Sequence, residues 1–290
     1  MTQREAGETI GFVPTMGALH DGHLDLVRRS VAECDLTVVS VFVNPLQFDD
    51  PGDLERYPRD LDGDARLLEE AGCDLMFTGT LPEFFPHSFD EMGSLEPGAL
   101  VSPGRAAEGL EGASRSGHFI GVATIVHRLF EVVNPTRAFF GRKDYQQSLI
   151  VAEVARRRGA PEVVICPTSR TDDGLARSSR NERLSEPELR DALILSEALA
   201  SCDAEWRRGV RDAEALLAAL SAPLEGAPGV HLDYAAVRDP EEWAAEDPSG
   251  PMESCVALVA ARVGSVRLID NLILGEGEAC EISLGAGSRA

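Results

Sequence analysis

The stretch GFVPTMGALHDGH, residues 11–23, decides the reading of this chain. Ile10–Val13 is a short β-branched strand that runs into a Pro/Gly turn. Helical spacing follows, with Leu24, Val27 and Val31 at i, i+3 and i+7 on one face. Asp21 is the expected N-cap of that helix. A helix N-terminus carries free N–H groups and partial positive charge, both of which favour phosphate. His20 and His23, three apart, can lie on one side of the first turn and point at the same ligand. A histidine in that place is biased toward its neutral form, so it can donate a hydrogen bond without carrying full charge. The competing reading is an HxxH that merely caps and packs the turn. The Gly-rich strand–turn–helix context favours a nucleotide site.

Outward from this block, short β-branched runs alternate with helical patterns. Leu36–Val43 is apolar nearly throughout, as expected of a strand buried on both faces of a parallel sheet. An amphipathic stretch over Leu61–Ala71 leads to a third strand at Asp74–Phe77, and residues 81–117 read as loops with at most short elements. Helix Phe119–Val133, strand Ala138–Phe140, helix Tyr145–Arg157 and strand Glu162–Cys166 complete the first half. The alternation predicts an α/β fold with a Rossmann-like, doubly wound parallel sheet. After about residue 168 come two Ala/Leu-rich helices, Pro187–Cys202 and Arg211–Leu220. Gly/Pro-rich breaks then lead to strands at Val256–Val263 and Val266–Ile269. This predicts a second, smaller α+β C-terminal domain, with domains at 1–168 and 169–290 and a tail frayed from about residue 276.

Of 290 residues, 27 are Lys or Arg and 49 are Asp or Glu, a formal charge of −22, which argues against a nucleic-acid partner. The 43% hydrophobic and 26% charged content is that of a folded, soluble protein. Six cysteines (34, 73, 166, 202, 255 and 280) form no CxxC pair, so they read as reduced residues of a cytoplasmic protein rather than a disulfide frame or zinc site. No apolar run approaches the roughly 18 residues of a membrane helix, and the first residues show no signal-peptide core.

Three further blocks follow, two at strand ends and one, DGLARSSRN, on a Gly-started loop. GRKDYQQ, residues 141–147, opens a helix: Gly141 permits close backbone approach, Lys143 is a flexible charge suited to phosphate, Asp144 can cap, and Gln147 can present its amide to the same cleft. DGLARSSRN, residues 173–181, offers two hydroxyls and Arg180 as a phosphate clamp. FVNPLQF, residues 42–48, offers Asn44 and Gln47 as uncharged donors for a small polar substrate, against the plain reading of an Asn-Pro turn. GxxxxGK(S/T), GxGxxG, HExxH and GxSxG are all missing, which removes the anchors of P-loop, dehydrogenase, zincin and α/β-hydrolase readings.

In this order the blocks PTMGALHDGH, FVNPLQF, YPRDLDGD, SGHFIGVATIVHRLF, GRKDYQQ, DGLARSSRN and ARVGSVRLIDN resemble the pantothenate synthetase family (pantoate–β-alanine ligase, AMP-forming). That family lies within the nucleotidyltransferase superfamily, whose HxGH motif corresponds to HDGH here. The resemblance implies a two-step ligase: ATP and (R)-pantoate give pantoyl adenylate and pyrophosphate, and β-alanine then displaces AMP. It implies ATP contacts from Met16, Gly17, Ala18, Leu19, His20, Asp21, Gly22 and His23, and from Gly141, Arg142, Lys143 and Asp144. Ser169 is implied at the adenine and Arg177, Ser178, Ser179 and Arg180 over the phosphates. His23 takes the acid role, with His20 and Lys143 beside it. Gln47 and Gln147 hold pantoate, with Asn44 near them. The resemblance further implies Mg²⁺ with ATP and a homodimer. Because an adenylate is hydrolysable the site should exclude water, which makes the second domain, reached through residues 168–180, the expected lid. Arg142 replaces the Glu of GEKD, Arg177 replaces the Met of MSSR, Ser169 stands where Val is common, and Gly63 stands where Asp is often found. A cytidylyltransferase-like enzyme would share HDGH but has no use for FVNPLQF and paired glutamines. An aminoacyl-tRNA synthetase fragment conflicts with the charge, and a non-catalytic nucleotide-binding protein has no need of the full set of His, Lys, Ser and Arg.

Overall fold

Phe12 and Val13 are neighbours on one strand, point to opposite faces of it, and are both fully buried in separate apolar clusters. A strand covered on both faces sits inside a helix–sheet–helix sandwich. The computed structural model describes residues 7–90 and 93–276, with the backbone of Ile282–Leu284. Its first unit runs β1 (Ile10–Thr15), α1 (Asp21–Glu33), β2 (Leu36–Val41), α2 (Pro51–Arg56), α3 (Leu61–Glu70) and β3 (Leu75–Phe77). The short helices α4 (Leu81–Phe84) and α5 (Leu110–Ser114) follow, then α6 (His118–Val133), β4 (Arg137–Gly141), α7 (Tyr145–Arg158) and β5 (Glu162–Cys166).

The five strands are parallel in the order β3-β2-β1-β4-β5. The order reverses between β1 and β4, the switch point outside whose carboxyl ends ligands bind in such sheets. The loops after β1 and β4, which carry HDGH and GRKD, therefore face each other. In α1 the buried face differs from the expected one: Val31 is 40% exposed, and Ser30 takes the inward place, its hydroxyl 2.8 Å from that of Thr37. Gly11 makes room, since a Cβ there would lie 2.0 Å from the Ser30 oxygen.

The second unit contains α8 (Glu186–Ala192), α9 (Ile194–Arg207), α10 (Ala213–Ser221), β6 (Val230–Arg238), β7 (Val256–Val263) and β8 (Val266–Ile273). The three strands form an antiparallel sheet in sequence order. Ala257, Val259, Ala261 and Val263 of β7 pack on Leu195, Leu199, Leu216 and Leu220 of α9 and α10. The opposite face of β7 places Val256 and Leu258 against Tyr145 at the start of α7. Three expectations change here. The single helix expected over Pro187–Cys202 is two, α8 and α9, because Leu193 N–H bonds to Arg190 three residues back and the Ser196 hydroxyl donates to the Leu193 carbonyl. Strand β6 lies in a stretch read as Gly/Pro-rich breaks. Its alternation is blurred because it is an edge strand with a register shift between Leu232 and Tyr234 and three successive exposed residues, His231, Leu232 and Asp233, near its start. Strand β8 runs four residues past the expected Ile269.

The second core begins at Leu175, and we place the boundary between units at Thr168/Ser169. Of the tail expected to fray, Ile282–Leu284 forms β9, antiparallel to β5, which covers an otherwise open backbone edge. The rest of that tail, with Cys280, lies outside the described residues. No helix among the described residues is long and apolar enough to cross a membrane, and their five cysteines are free.

A close approach beneath the site gives a test of this packing. A Cβ on Gly121 of α6 would fall 2.1 Å from the Leu46 carbonyl oxygen. Gly121→Ala should therefore destabilise the protein by about 1–3 kcal/mol in a denaturant titration, the scale of overpacking; unchanged stability would contradict the contact.

Candidate active site

The bend between β1 and α1 is built from the backbone outward. Gly17 and Ala18 both have left-handed φ, 82° and 52°. Asp64 of α3, only 3% exposed, accepts the N–H of Ala18 at 3.0 Å and of Leu19 at 2.8 Å. Thr15 Oγ1 accepts from Gly17 N at 3.2 Å and donates to the Ser40 carbonyl at 2.7 Å. Only glycine fits at 17, where a Cβ would lie 2.8 Å from Asp64 Oδ2. Gly17, Ala18 and Leu19 thus form the frame of the bend, while Met16 lines the cleft above it.

The helix cap is His20, not Asp21. His20 Nδ1 accepts from Gly22 N at 3.1 Å, and His20 N–H donates to His23 Nδ1 at 3.4 Å. Asp21 is the first helical residue and pairs instead with Arg177 at 2.8 Å. Because both Nδ1 atoms accept, both neutral rings carry their proton on Nε2. Desolvation, reinforced by Lys143, lowers the His20 pKa to about 4. Desolvation and His20 lower that of His23 to about 3. The two rings, with centroids 4.1 Å apart, are neutral hydrogen-bond donors at the cleft.

Across the switch point, Gly141, Lys143, Asp144 and Gln147 line the same cleft, of about 220 Å³. Lys143 is the only lysine in the chain. Asp144 holds the N-cap position of α7 but makes no side-chain cap bond. Desolvation opposes its ionisation, yet Lys143, Arg180 and Arg115 hold its carboxyl below the usual range. Arg142 is turned away and buried, with its guanidinium 3.9 Å from Glu276, so its charge does not face the cleft.

Asn44 and Gln47 also reach the cleft, but Asn44 works as a brace. Its side chain is 1% exposed, donates to Gln47 Oε1 at 3.0 Å and to the Gly121 carbonyl at 3.2 Å, and accepts from Leu46 N at 3.2 Å. Gln47 keeps its amide toward Met16. Arg115 and His118 had no assigned role in the sequence reading, although SGHFIGV and the arginine just before it stand in plain view. His118 Nδ1 donates to the Gln47 carbonyl at 2.8 Å, leaving Nε2 to accept from Arg115 at 3.1 Å. Desolvation and Arg115 lower the His118 pKa to about 4, which suits that tautomer.

The hairpin that follows β5 closes one side. Ser169 Oγ donates to Asp25 at 2.8 Å, Ser178 caps a single turn at Ser179–Arg183, and Arg180 and Arg183 share Asp53 at 3.1 and 3.2 Å. Ser169, Arg177, Ser178, Ser179 and Arg180 all line the cleft. Gly63 stands at the start of α3, where a Cβ would lie 2.2 Å from the Asp60 cap. The lining holds four cations, Arg115, Lys143, Arg177 and Arg180, against one carboxylate, Asp144. In a chain of charge −22, this is a local site for an anion.

The pantoate–β-alanine ligase family model matches residues 1–273. The chain belongs to this family. A pantothenate synthetase of Rubrobacter xylanophilus is 48% identical over 272 residues, 93% of each chain. One from Acidobacterium capsulatum is 47% identical over 280 residues, 94% of this chain and 90% of that one. The crystal structure of pantothenate synthetase from Thermus thermophilus superposes with a TM-score of 0.83 at 44% identity, covering 91% of this chain and 93% of that one. That of the Francisella tularensis pantoate–β-alanine ligase, complexed with β,γ-ATP and β-alanine, gives 0.75 at 31% identity over 96% and 94%.

Neutral donors at the bend have a measurable signature. A free histidine titrates near pH 6.5, so in acid the unfolded chain takes up protons that the folded His20 and His23 refuse. These rings therefore cost stability as pH falls from the unfolded value toward about 4 and about 3. In ring-nitrogen NMR of the folded protein, both should stay neutral from about pH 8 to about pH 5; protonation of either near 6.5 would contradict the geometry.

Proposed function

We propose that this chain condenses (R)-pantoate with β-alanine to pantothenate through a pantoyl adenylate, with ATP as the activating substrate. The observation that carries this reading is one cleft that joins an anion-binding end to a polar, apolar-floored pocket. His20, His23, Lys143 and the Ser178–Arg180 turn supply the first. For the second, Gln47 and Gln147 line the same cleft as Phe42, Val122, Ile125, Leu129 and Phe140, which belong to one apolar cluster. Pantoate carries two methyl groups on one carbon beside hydroxyls and a carboxylate, and so needs both kinds of surface.

In the first step a pantoate carboxylate oxygen bonds to the α-phosphorus of ATP. The bond from that phosphorus to the bridging oxygen breaks, and pyrophosphate leaves with the electron pair. Lys143 and Arg180 neutralise growing charge, and the two Nε2–H groups donate to phosphate oxygens without competing for a proton. With its pKa lowered to about 3, His23 acts as a hydrogen-bond donor rather than as the proton donor that the resemblance implied. In the second step the β-alanine amine bonds to the acyl carbon, the acyl–oxygen bond to AMP breaks, and the amine loses one proton. Among the described residues no three His, Cys, Asp or Glu side chains group into a metal cage. Asp144 in the cleft suits Mg²⁺ carried in on the phosphates, which usually keeps several waters and one or two carboxylates. Mg²⁺ would supply further neutralisation of the triphosphate.

The hairpin from Ser169 to Arg183, at the start of the second unit, is our candidate for the lid that protects the adenylate from water. Its partly exposed ion pairs to Asp21 and Asp53 are weak enough to exchange for phosphate. The same reading makes the protein a cytoplasmic homodimer, for which free thiols suit a reducing compartment.

His23→Ala should lower pantoate-dependent ATP–pyrophosphate exchange by at least about 10²-fold, the scale of a lost donor to developing charge; near-normal exchange would remove His23 from the chemistry. Exchange supported by cytidine triphosphate instead of ATP would favour the cytidylyltransferase alternative. Gln47→Ala should weaken pantoate binding in titration calorimetry while ATP binding is kept, and equal loss of both would show that Gln47 only supports the fold.

A further inference from the structure

Strand β8 reaches the phosphate-binding end from behind, across the seam between the two units. Asn271, 2% exposed, donates through one amide nitrogen to the carbonyl of Arg142 at 3.0 Å and of Lys143 at 2.8 Å. Its neighbour Asp270, 4% exposed, accepts from Arg170 at 2.6 and 3.1 Å. Arg170 in turn receives the Arg177 Nε–H on its carbonyl at 3.1 Å and donates to the Gly174 carbonyl at 3.0 Å. Two successive residues of one strand therefore grip the GRKD loop and the base of the Ser178–Arg180 hairpin.

A trans peptide points its carbonyl and the following N–H in opposite directions. With the carbonyls of 142 and 143 held toward β8, planarity turns the N–H groups of Lys143 and Asp144 away from β8, and Gly141, Lys143 and Asp144 all line the cleft. Among the described residues neither N–H meets a protein acceptor. Both extend the donor set of the α7 N-terminus, and both are aimed by Asn271. A buried amide that only joined two units could bond to any carbonyl on the seam; this one bonds to the two that orient the sole lysine.

We propose that Asn271 is a positioning residue for adenylation, holding the Lys143 loop so that its ammonium and backbone N–H groups meet the nucleotide's phosphates. The proposal rests on the reading of the cleft as the ATP site. It makes β8 part of the phosphate site and leaves only the turn beyond the anchored base, residues 178–183, free to close.

Because the chain has one lysine, protein grown on ¹⁵N-lysine gives a single backbone amide signal, that of Lys143. In the wild type this signal should move on addition of ATP and stay in place with adenosine. In Asn271→Ala the signal should be displaced before any ligand is added. ATP should then bind about tenfold or more weakly, the scale of lost bonds to a charged group, with adenosine binding changed less than about twofold. Adding Asn271→Ala to Lys143→Ala should cost less than about threefold further in ATP affinity, because the two act as one unit. Full additivity, or a variant with wild-type signal and ATP affinity, would overturn the proposal. If Asn271→Ala does not fold, Asn271→Ser and the wild-type titration decide, and a wild-type Lys143 amide indifferent to bound ATP refutes it. A wild type that binds no ATP is a different result, which removes the nucleotide reading itself.

Discussion

Asp64 is a buried carboxylate whose two oxygens accept the backbone N–H groups of Ala18 and Leu19, and the rest of the site follows from that contact. Two consecutive residues in the left-handed region are costly for anything but glycine, and the second of them here is alanine. The carboxylate compensates by satisfying N–H groups that the bend would otherwise leave without partners. With the bend held, His20 falls at the cap, His23 falls one turn on, and each imidazole has its Nδ1 occupied by backbone. The orientation of the rings, their tautomer and their neutrality are all consequences of where the chain turns.

The electrostatic arrangement separates two tasks that one cation could not perform. Lys143, Arg115, Arg177 and Arg180 make the cleft positive within a strongly acidic molecule, which draws in anionic reactants. Bringing a carboxylate onto a phosphorus surrounded by oxygens also requires donors that do not titrate. In the proposed reaction His20 and His23 are the candidates for these, because desolvation keeps them uncharged. The same logic recurs at His118, a neutral ring that holds the Arg115 guanidinium and the Gln47 carbonyl at fixed places. The carboxylates Asp21, Asp25 and Asp53 tether the hairpin from outside the cleft lining.

Much of this was legible in the sequence because the chemistry is written at strand ends. Strongly apolar strands and long periodic helices placed the parallel sheet, and the sheet places the loops after β1 and β4 together. Less legible were features that depend on a partner far along the chain. Asp21 looks like the cap, yet His20 caps because Nδ1 can reach Gly22 while Asp21 is drawn to Arg177. Asn44 looks like a substrate donor, but the close approach of Gly121 turns it into a brace. Arg142 looks like an added phosphate cation, and the turn of the loop directs it away. Strand β6 was missed because an edge strand with an irregular register lacks clean alternation.

The central claim is that one triphosphate lies between the β1–α1 bend, the GRKD loop and the serine–arginine turn. Its most direct test is a crystal structure with a non-hydrolysable ATP analogue and pantoate. The account predicts an α-phosphate within hydrogen-bonding reach of both His23 Nε2 and Lys143 Nζ, with the pantoate carboxylate beside it and its body between Gln47 and Gln147. A nucleotide bound the other way round, with adenine over the glutamines, or seated in the cavity of about 800 Å³ beside Trp206, would contradict it.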